Sequence, residues 1–351
     1  MDILEGEEFK KFIEFLEDKE KSNVNIILHD APDPDAIGSA IGLAQVLYAY
    51  GKKYGIYYSG AISHPQNKTL VNVLNIVLNR INNESSLKKE SYNICVDCTP
   101  KNSVVEDATA VIDHHKNSEH YNGIKINDPA FGACSTIIWN IAKKVGADKI
   151  EKNGVDIFTP LLIGIRTDTN DLISENMSEE DFEAYQELLK KSDKEALQKI
   201  MNYPLPKYLY EKRVLLHKSG NNYEKNGVFI GGIEFITSDK RDAISILAEE
   251  YARMESVNTA IIFAVVDEQN LQISVRSSNV SLDVGSMCKD LFDGYGGGSS
   301  FKGGANIPLN FYKDLGENEK EDFWKITRRH MFRKVLKESW VDEDDTTTKE
   351  K

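Results

Sequence analysis

Four short stretches of the chain carry side chains that could hold metal ions. His29-Asp30-Ala31-Pro32-Asp33-Pro34-Asp35 packs an imidazole and two useful carboxylates, Asp33 and Asp35, into one turn. Asp97 closes an apolar run, and Asp113-His114-His115 closes another. Asp168 stands in Arg166-Thr167-Asp168-Thr169-Asn170-Asp171, where Asp171 competes for the same role. Oxygen donors with a few imidazoles suit hard or borderline divalent cations, and Mn²⁺ better than a thiolate-type zinc site. Four carboxylates in one crevice without cations would repel and raise one another's pKa values. Two cations about 3.5–4 Å apart, bridged by a carboxylate, remove that problem and can activate water beside a neutralised phosphoryl group. Taken singly, each stretch has a plainer reading: Asp35 as a helix N-cap, the prolines as a polar turn, the histidines as a satisfied pair at a strand end.

The elements around these residues favour convergence. Val24 to Leu28 reads as a buried strand and Ala36 to Tyr50 as a helix, so the first stretch is a strand-to-helix turn. Strands are expected at Lys53–Tyr58, Tyr92–Val96 and Thr109–Ile112, and helices over Glu7–Lys21, Pro65–Ile81, Ala133–Gly146 and Val155–Arg166, with a loop over Asn82–Glu90. Three strands thus end in acidic or imidazole groups. In a parallel sheet such ends point one way, toward the crevice where ligands bind. The alternation indicates an α/β fold with a doubly wound parallel sheet.

Ser178 to Met201 reads as a charged helix opened by a capping box, Ser178-Glu179-Glu180-Asp181. Tyr203-Pro204-Leu205-Pro206 breaks it and marks an interdomain connection. A second, smaller α/β domain follows. Its strands are expected at Val228–Ile236, Thr259–Val266 and Leu271–Arg276, the last two joined as a hairpin, and around Asn306–Leu309. Helices are expected over Asp239–Met254, Ser281–Leu291 and Glu319–Trp340, with a loop at Gly294–Ser300 and a disordered tail over Val341–Lys351.

The bulk properties set limits. The chain has 351 residues, enough for two cored domains, and no apolar run nears the length of a membrane span. Its net charge of -13 argues against a nonspecific duplex binder. The acidic start lacks the basic-then-apolar order of a signal peptide, which points to the cytoplasm. Cys95 and Cys98 form a C-x-x-C without a second pair; with Cys134 and Cys288 they read as reduced, buried thiols.

Together the motifs resemble those of the DHH phosphoesterase family. His29-x-x-Pro32-Asp33-x-Asp35-Ala36-x-Gly38-Ser39 resembles its first motif, Val96-Asp97 the second, Asp113-His114-His115 the third, and Gly164-Ile165-Arg166-Thr167-Asp168-Thr169 the fourth. The resemblance extends over most of residues 22 to 310 and includes the DHH-associated C-terminal domain. It implies a catalytic domain at 1–190, a helical linker at 191–225, a substrate-binding domain at 226–340 and a tail at 341–351, with the active site in the cleft between the domains.

The resemblance also implies roles. His29 and Asp33 would hold one Mn²⁺, and Asp35, His114 and Asp168 the other. Asp97 would bridge both, Asp113 would support His114, and His115 would face the scissile phosphate. Asp168 is preferred to Asp171 because it holds the Thr-Asp-Thr position. In the C-terminal domain, Arg276-Ser277-Ser278 resembles a phosphate- and nucleotide-contacting segment, and Gly296-Gly297-Gly298 a glycine-rich phosphate loop. Family members commonly place His after those glycines; this chain has Ser299.

The function implied is Mn²⁺-dependent hydrolysis of short single-stranded oligonucleotides, linear dinucleotides or pAp, as in the oligoribonuclease and pAp-phosphatase branch. A RecJ-like single-strand exonuclease and a family II pyrophosphatase-like enzyme are the enzymatic alternatives. A nucleotide-binding regulatory protein without activity is the other. No membrane partner is expected, and a homodimer is compatible with the sequence.

Overall fold

A computed structural model of the chain describes residues 3–87, 91–116, 122–150, 155–218, 220–310 and 315–336. The expected tail at 341–351, the last residues of the closing helix and the end of the Asn82–Glu90 loop lie outside the described residues. The chain divides into two units, Met1–Pro204 and Leu205–Lys351. The division falls inside the Tyr203-Pro204-Leu205-Pro206 break.

The first unit is built on six parallel strands: β1 (Asn23–Ile27), β2 (Lys53–Tyr58), β3 (Asn79–Arg80), β4 (Tyr92–Val96), β5 (Ala110–Asp113) and β6 (Ile124–Asn127). They lie in the order β3-β2-β1-β4-β5-β6. The winding reverses between β1 and β4, the switch point at which open α/β sheets leave a crevice beyond their carboxyl ends. His29 and Asp97 follow the two strands that flank it. A side-chain pair marks their register: buried Asn25 donates through Nδ2 to Asn93 Oδ1 at 3.0 Å, directly across the ladder.

Alternation along the strands divides the core. Val24, Ile26, Ile94, Val96, Ala110 and Ile112 face one main cluster, and Ile27, Cys95 and Val111 a smaller one with Ile81, Leu87 and Val105. The helices are α1 (Glu7–Glu17), α2 (Pro34–Ala49), α3 (Pro65–Val73), α4 (Cys134–Lys144), α5 (Phe158–Asp168), α6 (Glu179–Lys191) and α7 (Lys194–Met201). Helices α2, α4 and α5 cover the main cluster. They approach closely because glycines face them: a Cβ on Gly42 would meet Ile138 Cγ2 at 2.5 Å, and one on Gly164 would meet Asp35 Oδ1 at 2.8 Å. The expected 65–81 helix is shorter, because Asn75 adopts φ 50° and the apolar Ile76 and Leu78 lead into β3 instead. The expected 178–201 helix is two, divided where Asp193 caps α7 by accepting from Glu195 N and Ala196 N.

The second unit carries α8 (Lys207–Leu216), β7 (Asn222–Lys225), β8 (Val228–Ile236), α9 (Ala243–Tyr251), β9 (Thr259–Val266), β10 (Asn270–Ser277), α10 (Val284–Leu291), β11 (Gly296–Gly298), β12 (Lys302–Pro308) and α11 (Glu317–Leu336). Its sheet order is β11-β12-β10-β9-β8-β7, with β8 and β9 parallel and the other pairs antiparallel. Ile262 and Ala264 pack on the side of α9, Ile261 and Phe263 on the side of α10 and α11. The glycine loop of the sequence reading is β11, an edge strand paired with Gly303, Gly304 and Ala305. Glycine's poor strand propensity hid it. Among the described residues no helix is long and apolar enough to cross a membrane.

Candidate metal centre

The strand-to-helix turn after β1 sets the first donors. Asp33 is the N-cap of α2: its Oδ1 accepts from Asp35 N and Ala36 N, both at 3.0 Å, with Pro34 in the first turn. Asp33, not Asp35, is therefore the cap. Asp35 is fully buried, and its carboxylate takes both amides at the start of α4: Oδ2 from Cys134 N at 2.7 Å and Oδ1 from Ser135 N at 2.8 Å. His29 Nδ1 lies 2.9 Å from Asp30 O, which leaves Nε2 3.8 Å from Asp33 Oδ1 and 3.9 Å from Asp97 Oδ2.

Asp97 is buried and follows β4 with φ 57°, a left-handed conformation Asp tolerates. His114 Nε2 is 3.4 Å from Asp97 Oδ1, 3.2 Å from Asp168 Oδ2 and 3.8 Å from Asp35 Oδ2. Asp168 ends α5. Asp171 instead pairs with Arg166 and belongs to no donor cluster.

One expected contact is different. Asp113 Oδ1 accepts the backbone amides of His114 and His115, but the ring it faces is that of His115, with Nδ1 at 2.8 Å. The His114 ring is oriented by Phe131 O, 3.2 Å from its Nδ1. The reason is local: the chain turns at the strand end, so the residue two places after Asp113 folds back over its carboxylate while His114 points inward.

Donor atoms form three clusters, each within 4.8 Å: His29, Asp33 and Asp97; Asp35, His114 and Asp168; and Asp97, His114 and His115. Burial drives Asp35 well above the usual carboxylate range, reinforced by Asp97 and Asp168. Burial likewise pushes Asp97 up to about 6, against the pull of His114. Desolvation works against charge on His29 and His114, but Asp33 and Asp97 lift His29 to about 9, and Asp168, Asp97 and Asp35 lift His114 to about 12. Desolvation also opposes ionisation of Asp33, yet His29 and the amides of Ala36 and Asp35 bring it to about 2. The hydrogen bond to Asp113 raises His115; Asp113, despite burial, is lowered by that ring. Without cations, imidazolium charge offsets the crowded carboxylates; cations would displace those protons.

The residues fit divalent ions. Two buried atoms, Asp97 Oδ1 and His114 Nε2, have no hydrogen-bond partner, although buried polar atoms ordinarily do. Both belong to the donor clusters. Cys98 and Cys134 are buried, their thiols pushed well above the ordinary range by desolvation, so they stay protonated and outside the donor set.

Within the second unit, Arg276, Gly297, Gly298 and Ser299 line one cavity of about 690 Å³, together with Arg241 and Lys302. Arg276 Nη1 donates to Ser274 Oγ and Val275 O, both at 3.0 Å, and among the described residues no carboxylate lies within ion-pair distance. Burial pulls its pKa below the usual value, opposed by Glu249. Three expected contacts are not on this cavity. Ser277 Oγ is engaged by Thr259 Oγ1 and Asn258 O, both at 2.9 Å; Ser278 Oγ reaches Asn258 O at 3.4 Å; and Gly296 packs on Cys288 of α10. The Ser299 amide is also engaged, donating to Lys302 O at 2.8 Å, while Ser299 O accepts from Gly285 N at 3.0 Å.

Sequence reasoning missed Phe131 O, the α4 amides and Arg241. The first two are backbone groups, which no side-chain pattern announces.

The parallel sheet with its donor clusters at the switch point defines a class. Residues 23–165 match the DHH family, N-terminal domain. Over 350 residues the chain is 27% identical to an uncharacterized protein of Methanocaldococcus jannaschii, covering 98% of this chain and 70% of that protein. An exopolyphosphatase-related protein from Bacteroides fragilis has a similar structure: TM-score 0.65 at 16% identity, covering 94% of this chain and 98% of that one. At that identity the likeness is one of fold.

Proposed function

We propose that the protein is a divalent-cation-dependent phosphoesterase acting on short oligonucleotides, linear dinucleotides or pAp. The observation that carries this reading is the pair of donor clusters, His29–Asp33–Asp97 and Asp35–His114–Asp168, brought to one crevice with two buried donor atoms left without a hydrogen-bond partner. Two cations, taken as Mn²⁺, would supply the charge that acidifies water and neutralises phosphoryl oxygens. His29 and Asp33 would hold one and Asp35, His114 and Asp168 the other, with Asp97 reaching both.

The chain's own groups do the rest. The Asp113 carboxylate accepts from His115 Nδ1 and so fixes the ring. In the charged form that the bond to Asp113 favours, His115 Nε2 also carries a proton and can donate it toward a phosphate oxygen. In the second unit, Arg276 offers a fork of donors and Lys302 and Arg241 further positive charge to an anion in the cavity. That cavity suits the phosphate of a nucleotide-sized ligand.

The test is a Mn²⁺-supported screen over dinucleotide RNA, pAp, linear and cyclic dinucleotides, short DNA, pyrophosphate and a generic phosphodiester, with products separated by chromatography. Metal-dependent release of mononucleotide from dinucleotides or of phosphate from pAp supports the proposal. Turnover of pyrophosphate alone, or none of any substrate, overturns it in favour of a pyrophosphatase-like enzyme or a nucleotide-binding regulatory protein.

A further inference from the structure

Outside the donor clusters one buried carboxylate bonds across three segments. Asp181, on the first turn of α6, is fully buried. Its Oδ2 accepts from Ser178 N and Ser178 Oγ, both at 2.8 Å, which closes the capping box, and also from Gly132 N at 2.7 Å. Its Oδ1 accepts from Thr136 Oγ1 at 2.5 Å. The cap accounts for the bonds to Ser178. It does not account for those to Gly132 and Thr136, which lie on the segment entering α4.

That segment holds two members of one donor cluster and packs beside the third. Phe131 O, next to Gly132, orients the His114 ring at 3.2 Å. Cys134 N and Ser135 N, two and three residues on, hold the Asp35 carboxylate at 2.7 and 2.8 Å. Gly132 itself packs on Thr169, the neighbour of Asp168: a Cβ there would meet Thr169 Cγ2 at 2.8 Å and Asp181 Oδ2 at 2.9 Å. The other cluster rests on different supports. Ala31 N donates to Ser59 O at 3.0 Å, Asp30 N to Asn102 O at 3.4 Å, and Asn67 Nδ2 to Pro32 O at 3.3 Å.

We propose that Asp181 is the positioning residue for one half of the metal centre, the Asp35–His114–Asp168 half, which it holds through Gly132 and Thr136. This rests on the two-cation reading given above. Groups behind a metal ligand typically tune affinity by 10–100-fold. Because the support is asymmetric, losing it is expected to weaken one ion and spare the other.

The experiment is a Mn²⁺ titration of the full chain followed by electron paramagnetic resonance, with thermal melts alongside. Wild type is expected to bind two ions. Asp181→Ala is expected to keep one at its wild-type affinity and to bind the second about 10–100-fold more weakly. Asp181→Asn should rescue it, because the amide oxygen can take the Gly132 and Ser178 donors while the Thr136 hydroxyl reverses to accept. Ser178→Ala breaks the cap but leaves Gly132 bonded, so it should lower the melting temperature and keep both ions. If Asp181→Ala does not fold, Gly132→Ala displaces the same segment from the other side and should show the same selective loss. Equal weakening of both ions in these variants, or a selective loss in Ser178→Ala that tracks its melting temperature, overturns the positioning role. A folded wild type that binds fewer than two ions instead removes the two-cation reading, and the inference with it.

Discussion

The Asp113 carboxylate serves His115: its Oδ1 lies 2.8 Å from that ring's Nδ1, while the neighbouring His114 ring turns to Phe131 O. The Asp-His-His run is thus two devices on consecutive residues. His114 points into the donor clusters, and His115 with Asp113 forms a dyad at their edge. Asp113→Asn keeps an oxygen for the two backbone amides but weakens the hold on the His115 ring. It is expected to lower kcat about 10–100-fold while leaving Mn²⁺ affinity close to wild type. A matching fall in Mn²⁺ affinity would mean that Asp113 acts through His114 after all.

Asp97→Asn and Asp171→Asn separate the donor set from its surroundings. Asp97 has φ 57°, which Asn adopts as readily, so that variant should fold with its backbone unchanged. Losing the carboxylate that belongs to two donor clusters is expected to cut turnover by about 100-fold or more. Asp171 sits in an exposed pair with Arg166, worth at most about 1 kcal/mol, so its loss should cost no more than about fivefold. Comparable losses from the two, with circular dichroism unchanged, would show that the fourth motif has been read one turn out of place.

Cation binding is also a stability measurement. Desolvation and mutual repulsion burden Asp35 and Asp97 in the metal-free protein. An ion that binds only the folded form, present at about 100 times its Kd, adds about 2.7 kcal/mol. Mn²⁺ is therefore expected to raise the melting temperature and a chelator to lower it, with the effect lost in Asp97→Asn. A melting temperature indifferent to Mn²⁺, Mg²⁺ and Zn²⁺ alike would contradict the assignment of the clusters to cations.

The β1–α2 turn was legible in the sequence because its determinants are side chains at fixed spacing: an apolar strand, a proline-rich turn and an apolar-periodic helix; the cap itself is Asp33 rather than Asp35, and the glycines that let the helices approach show only in the packing. Asp97 and His114 were legible as strand ends of a parallel sheet, whereas Asp168, at the end of α5, was singled out only by the family resemblance. What escaped is what backbone groups do. Phe131 O and the amides of Cys134 and Ser135 orient His114 and Asp35 whatever side chains those residues carry. The partner of Asp113 escaped because it depends on how the chain turns after β5. In the second unit, Ser277 looked available for a ligand, but its hydroxyl is drawn into a buried bond with Thr259 once β9 and β10 pair.

Substrate length offers a further check. The chain's net charge of -13 repels long polyanions, and a cavity of about 690 Å³ suits a nucleotide-sized ligand. Initial rates on RNA of two to about twenty-four nucleotides at fixed salt are expected to fall with length. Rates that climb steadily would favour an exonuclease of long strands.

Ser299 and Arg276 share that cavity, and they are expected to behave differently. The Ser299 amide is bonded to Lys302 O, so only its hydroxyl can turn to an anion. Arg276 is a partly buried guanidinium with no carboxylate among the described residues within ion-pair distance. A charge-assisted contact is worth about 1.5–3 kcal/mol, roughly ten- to hundredfold in kcat/KM. Arg276→Ala should lose that much on dinucleotide RNA or pAp, chiefly through KM. Ser299→His should gain part of it, because an imidazole reaches farther than a hydroxyl and can carry charge. Lys302 faces the same space, so Lys302→Ala should make the Ser299→His gain larger. If Ser299→His changes nothing on any accepted substrate while Arg276→Ala remains severe, the phosphate is held by Arg276 alone and the β11–β12 turn only shapes the wall.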